Sequence, residues 1–590
     1  MAWTGYTPIY VRTTGNDVNN GLTVGAPKLT VQSAYNAAVA AGSGNYVLDV
    51  GAGTFAGVTL AAAWPVRIGI RGASVSTSNF GDITGNYTVS IVSDNTITLG
   101  SIYTNSGYGL PTSASGGAVT LTSATVGYIA TGSGPATGAS GNGGAVSLTN
   151  CTCSGYINTV TGDSAFDSPY TTGTGGAVSL TNSTAGDITT SSGSGYYQSG
   201  ITGAGGAVSL TSSTVSSIST GSGYAYITGA GGAVTIASST VSGSINTSSH
   251  YANPGDTQDG HCGNGGAITL TDSTVTGSID ASTGGSGGAY VSPGNGGTIS
   301  LTNSTAGYVN ASSGTGSYYG STGNSGSVTL TSNSSATDIN VSTGSSFYGS
   351  TGTGGNVTVT SSTAGAITAS SGGSFVNTTG AGGNVTVTSS TAGAITVNSG
   401  YSDYGSTGAS GTVTLISSAA GNISASSGNN AGDNQSGNGG TVVLTNSTAG
   451  AITTSSGSGY NYTGTGGSVS LTSSTAGAIT SNSGSAYHPG GGGSVTLISS
   501  TASNITASSG SSSYSGSGGN ISLTNSIVNN ITTNANGFPG SASLNNTQPN
   551  DINSGVVTVT GKFKYKTTYT QAWFDFTNWS ALDIVGANNF

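Results

Sequence analysis

The sequence predicts an all-β fold: a single-start parallel β-solenoid, of the right-handed β-helix kind, opened by a short N-terminal capping helix. Three observations carry that reading. A block Gly-Gly-x-Val-x-Leu recurs along most of the chain, the composition withholds what exposed helices need, and the distance between copies varies in one segment only.

The repeat comes first, because internal repetition decides the architecture. Its Val or Ile falls at 119, 146, 178, 208, 234, 268, 299, 328, 357, 385, 413, 442, 469, 495 and 521, fifteen copies spaced 26 to 34 residues apart and about 29 on average. Within a copy, Val-x-Leu leads to a Ser/Asn-rich bend, a small residue and then an Ile. A Ser/Gly/Tyr-rich segment of variable length returns to the next Gly-Gly, as in V-V-L-T-N-S-T-A-G-A-I-T-T-S-S-G-S-G-Y-N-Y-T-G-T-G-G-S-V from Val442 to Val469. In a strand, Val and Leu point one way and the Ser or Thr between them the other. One copy therefore has too few inward apolar groups for a core of its own. Stacked copies place Val over Val and Ile over Ile and close a continuous interior. The glycines are expected to supply positive φ and close approach at the corners. Asn or Ser two residues after the Leu (Asn150, Asn182, Ser212, Asn303, Asn446, Ser473, Asn525) is expected to ladder along the stack. An outward Ser/Thr ladder runs through pairs such as Thr269 and Thr271 or Thr386 and Thr388, with Ile416 and Ile498 interrupting it.

Composition supports the same fold. Of 590 residues 105 are Gly and only 4% are charged; the 17 acids are all Asp, and the seven Lys and Arg leave none between Gly72 and Gly561. Exposed helix faces need Glu, Lys, Arg and Leu, so helix is excluded for most of the chain. Recurrent Val, Leu and Ile argue against disorder. A net charge of −10 without a basic patch argues against nucleic acid and anionic membrane surfaces as partners. No apolar run reaches the ~18 residues of a membrane span. The first residues lack the basic and apolar regions of a Sec signal. Cys151, Cys153 and Cys262 make no disulfide framework and read as small residues in a wall.

The ends differ from the middle, giving residues 1–45 as an N-terminal strand and capping helix, 46–110 as irregular first coils, 111–555 as the regular repeats and 556–590 as an aromatic C-terminal cap or attachment segment. Near the start stand I-Y-V-R-T-T-G-N-D-V-N-N-G-L-T (Ile9 to Thr23), a helical V-Q-S-A-Y-N-A-A-V-A-A (Val31 to Ala41) and Y-V-L-D-V-G-A-G-T-F-A-G-V-T-L (Tyr46 to Leu60). This order resembles the start of pectate-lyase-like right-handed β-helix proteins, over about 60 residues. The resemblance implies the fold, and by analogy with β-helical tailspikes a trimer. It brings no catalytic site with it. The lyases of that family use Ca²⁺-binding acids and a basic residue, which residues 73–560 do not supply. The hydrolases use clustered carboxylates, where this chain scatters its Asp residues.

Three groups of residues are candidates for function. Tyr196, Tyr197, Tyr224, Tyr226, Tyr318, Tyr319, Tyr348, Tyr404, Tyr460 and Tyr462, with Tyr487 and Tyr514, should line the edge formed by the variable segments, where aromatic faces stack on sugar rings or on a neighbouring subunit. Trp573, Phe574, Phe576 and Trp579 are candidates for attachment or oligomer contact. The longest excursion, Ser248 to Asn264, gathers His250, Asp256, Asp259 and His261, a weak metal candidate whose spacing matches no established motif. No cofactor, resident metal or catalytic residue is expected. The sequence reads as an extended structural or adhesive rod, extracellular or on a virion as a tail fibre or spike, forming a homo-oligomer and contacting surface glycans. A polysaccharide depolymerase and an ice-binding protein using the Ser/Thr ladders are the alternatives.

Overall fold

The computed structural model describes residues 3–65, 67–73, 78–93, 97–164, 171–195, 200–252, 260–285, 290–511, 514, 516–533, 540–545, 547, 551–553, 556–560 and 574–575. The chain is a parallel β-solenoid of about 16 turns, and among the described residues there is a single short helix, near the N-terminus. The residues up to Ala281 form one compact unit and those from Ser282 a second.

In the first unit the Val-x-Leu strands pair in parallel from Val89–Val92 through Val119–Thr122 to Ile268–Thr271. The second unit repeats the arrangement from Ile299–Thr302 to Val556–Thr560. All fifteen Val or Ile positions of the repeat lie in these strands. Register does not slip: Val442 pairs with Val469 and Leu444 with Leu471, both Leu side chains fully buried. A one-residue slip would turn every Val and Leu to solvent, so burial fixes the register. Two further ladders complete each turn, a Thr-Val or Thr-Ala pair after the bend and the Ile strand, as in Ile452 over Ile479.

The corners depart from expectation. Left-handed backbone falls on Asn and Ser at the bend, as at Asn446 and Ser473 (φ 50° and 49°). Among the described residues, positive-φ glycines occur only at Gly5, Gly21, Gly42, Gly44, Gly53 and Gly85, ahead of the repeats. Asn tolerates the left-handed region better than most residues, and Ser is held there by the hydrogen bonds around it. The repeat glycines serve close approach instead. A Cβ on Gly467 would lie 2.0 Å from the Gly440 carbonyl oxygen, and one on Gly440 2.1 Å from that of Gly411. The polar ladder also sits one residue later than expected. Ser418, Ser447, Ser474, Ser500 and Ser526 are buried, and the backbone N–H of each of the first four donates to the next hydroxyl along, as Ser447 N does to Ser474 Oγ (3.1 Å).

The N-terminal elements are β1 (Thr7–Val11), α1 (Val31–Ala40), β2 (Tyr46–Val50) and β3 (Ile68–Arg71), with the strands in one parallel sheet in that order. Thr30 caps α1, its hydroxyl accepting from Ser33 N (3.1 Å), while Asp17 accepts from the N–H groups of Leu29 and Thr30. The helix buries Val31, Ala34, Tyr35 and Ala38 against β1, β2 and Val58–Thr59, and the Tyr35 ring meets Trp64 at 4.7 Å. Asp49 joins Arg12 (2.9 Å) and Arg71 in one ion-pair cluster. At the other end, Ser541–Asn545 and Val556–Thr560 carry the ladder past the last Gly-Gly-x-Val copy.

Candidate functional site

Between residues 311 and 493 the variable segment is an ordered lobe of each coil. Two columns of hydroxyls hold it. Thr343, Ser371, Ser399, Ser427 and Ser456 accept from the glycine N–H groups of the next coil, at Gly372, Gly400, Gly428, Gly457 and Gly484 (2.8 to 3.1 Å). Across the lobe, Thr351, Thr379, Thr407 and Ser436 accept likewise from Gly380, Gly408, Gly437 and Gly464. Both columns are buried. A buried hydroxyl needs its hydrogen bonds met, and a glycine N–H in the neighbouring coil meets them here. Each lobe is thereby pinned to its neighbours, and the side chains at its tip inherit the coil spacing.

Aromatic rings occupy those tips. Tyr318, Tyr319, Phe347, Tyr348, Phe375 and Tyr404 form one continuous set, with Tyr318 stacked on Phe347 (4.8 Å), Phe347 on Phe375 (4.5 Å) and Tyr319 on Tyr348 (5.0 Å). Tyr290 extends it by stacking on Tyr319 (4.8 Å). A second group contains Tyr462 stacked on His488 (5.1 Å), His488 on Tyr514 (4.7 Å) and Tyr487 edge-on to Tyr514 (4.6 Å). The rows remain open to solvent: Tyr404 is 61% exposed and Tyr460 68%. The phenols of Tyr318 and Tyr348 lie 3.4 Å apart and those of Tyr487 and Tyr514 3.3 Å. These hydrogen bonds raise the pKa of Tyr318 and of Tyr487 and hold both phenols neutral.

Of the tyrosines singled out from sequence, the structure brings Tyr318, Tyr319, Tyr348 and Tyr404 together and places Tyr462 in the second group. Tyr224 lies half-buried in the first unit against Tyr251 (5.1 Å), and Tyr226 is also half-buried. Tyr196 and Tyr197 fall outside the described residues. Sequence reasoning passed over Phe347, Phe375 and His488, which occupy the same lobe tips. Scoring any ring at that point of the repeat, rather than Tyr alone, would have found them. Tyr401, 56% exposed, lies over Gly373, where an added Cβ would meet its ring at 2.5 Å.

His250 and His261 are exposed and their backbones belong to the lobe: His250 N donates to Ser222 Oγ (3.0 Å) and His261 bridges Ile227. Asp256 and Asp259 lie outside the described residues. No group of three metal-ligating side chains occurs among the described residues. Phe574 lies in a short strand, Phe574–Asp575, paired with Val557 and Thr558; Trp573, Phe576 and Trp579 lie outside the described residues. Several of the described acids hold the neighbouring coil. Asp163 and Asp338 accept from Ser194 N and Ala366 N, and Asp433 accepts from the Asn461 carboxamide. All three cysteines are buried, and burial pushes the thiols of Cys153 and Cys262 up to about 11. Thiolate is the reactive form, so neither is a nucleophile near neutral pH.

The outward Ser/Thr ladder is in register as expected. Thr329 stands beside Thr358, and Thr358 and Thr360 beside Thr386 and Thr388, until Ile416, 41% exposed, interrupts. No helix among the described residues is long and apolar enough to cross a membrane. Compared with known proteins, the chain matches no family model, no curated protein and no solved structure. None of these comparisons supports the pectate-lyase-like resemblance, and the structure shows the parallel β-solenoid alone.

Proposed function

We propose that this chain is a structural and adhesive β-helix that presents its aromatic lobe edge to surface glycans, as part of a virion fibre or spike or of a cell surface. The observation that carries this reading is the exposed aromatic row of the second unit. Rings held in register on a hydrogen-bonded lattice lose little freedom on binding, which favours affinity for a repeating polymer. Rings serving only to shield the lobe would be largely buried, whereas Tyr404 and Tyr460 are mostly exposed. Association into a homo-oligomer, a trimer by the tailspike analogy, belongs to the same proposal.

The experiment is retention of the full chain on immobilised cell-surface polysaccharides, with released reducing ends measured in parallel. The reading expects retention without release. Release of reducing ends identifies a depolymerase instead. Thermal hysteresis without retention identifies the Thr-x-Thr face of the second unit as ice-binding.

A further inference from the structure

Tyr487 N donates to the Tyr460 carbonyl oxygen (3.0 Å), so the two residues sit on adjacent coils. Upstream, pairs joined in the same way touch ring to ring: Phe375 stacks on Phe347 (16°), and Tyr348 meets Tyr318 edge-on (61°). Tyr487 turns instead toward Tyr514 and His488, edge-on to both rings (65° and 89°). Tyr460 is left the most exposed tyrosine among the described residues. Between Tyr460 and Tyr487 an open cleft of about 710 Å³ remains, completed by Gly459, Asn461, Ser485 and Ala486. That volume lies within the roughly 300–1,000 Å³ of small-ligand sites.

The lining carries two aromatic side chains and uncharged polar groups. The Asn461 carboxamide is oriented by Asp433, its Nδ2 donating at 2.8 Å. Ser485 Oγ accepts from Ser511 N (3.2 Å), which leaves its own proton for an outside acceptor. No Lys or Arg occurs between Gly72 and Gly561, His488 is stacked on Tyr462 and Tyr514 and is not among the lining residues, and Asp433 repels a carboxylate, sulfate or phosphate. A planar apolar ring with hydroxyl-matching amide and serine groups fits the C–H face and equatorial hydroxyls of a neutral sugar.

We propose that the cleft between Tyr460 and Tyr487 is a binding site for a neutral pyranose segment of a polysaccharide, with Tyr460 as its stacking platform. This inference rests on the glycan-contact reading and narrows it to one place and one class of sugar. The test is affinity electrophoresis of the full chain through gels containing dextran, galactomannan or amylopectin, and through gels containing polygalacturonate. Wild type should be retarded by a neutral polymer and not by polygalacturonate. Tyr460→Ala and Tyr487→Ala should each weaken that binding about tenfold, Tyr460→Phe should retain it, and all three should melt like wild type. Retardation unchanged in both alanine variants would overturn the site while leaving the adhesive reading intact. Preference for polygalacturonate would overturn the sugar class. Alanine variants that change the oligomer mass but not the mobility shift would assign the cleft to a second copy of this chain. Wild type passing through every gel unretarded would overturn the proposal, and retention on other surface glycans would then decide whether the wider reading survives.

Discussion

Gly467 shows what one residue type does in this chain. Its place is set by distance, because the coil below runs through the space a Cβ would fill, with the Gly440 oxygen at 2.0 Å and Thr454 Cβ at 2.7 Å. Backbone atoms in a ladder cannot give way without breaking the pairing on both sides. Gly467→Ala should therefore destabilise the protein by about 3 kcal/mol or more, read as a lower denaturant midpoint. Gly25, with nothing within 4 Å of its Cβ position, is the control, and Gly25→Ala should shift stability by less than about 0.5 kcal/mol. Equal effects at the two positions would sink the close-approach explanation. The composition pointed to tight corners, but left-handed backbone and close approach are separate demands. Asn446 meets the first and Gly467 the second.

At the scale of the element, the strands were legible and the polar interior was not. Val442-x-Leu444 alternates with period two, and Ile452 follows at constant distance, so inside and outside could be told apart. Ser447 and Ser455 look alike in a tract of Ser, Thr and Gly. Yet Ser447 is buried in the ladder, while Ser455 is half-exposed. Only the neighbouring coil distinguishes them, and its contribution is invisible to local patterning. Ser447 Oγ accepts from Ser418 N (3.1 Å) and donates to the Thr445 oxygen (2.7 Å). Ser447→Ala strands a buried N–H and should cost about 1–3 kcal/mol, whereas Ser455→Ala should cost clearly less. The comparison is a pair of urea titrations, and the ladder fails as an explanation if the two midpoints coincide. The aromatic row was legible in part for the same reason. Tyrosine recurrence gave the edge, but counting tyrosine alone passed over Phe347 and Phe375, and variable lobe lengths concealed that these two rings link Tyr318 to Tyr404.

At the scale of the whole molecule, each coil touches its neighbours alone, so stability within either unit accumulates as a sum of coil-to-coil contacts. The adhesive reading depends on whether the Gly/Ser-rich segments belong to that sum. Composition alone would class them as flexible linkers. The glycine columns and the hydroxyls of Thr343, Ser371, Ser427 and Ser456 instead tie them into the lattice, and so make the exposed rings a rigid surface. Amide hydrogen exchange followed by mass spectrometry tests this most directly. Peptides covering residues 455–467 and 482–493 should show protection comparable to the Val-x-Leu strands at 468–472 and 494–498. Complete exchange of those segments at the earliest time point, with the strands still protected, would mean that the lobes are loose. It would also mean that the rings of Tyr460, Tyr462 and Tyr487 form no fixed edge.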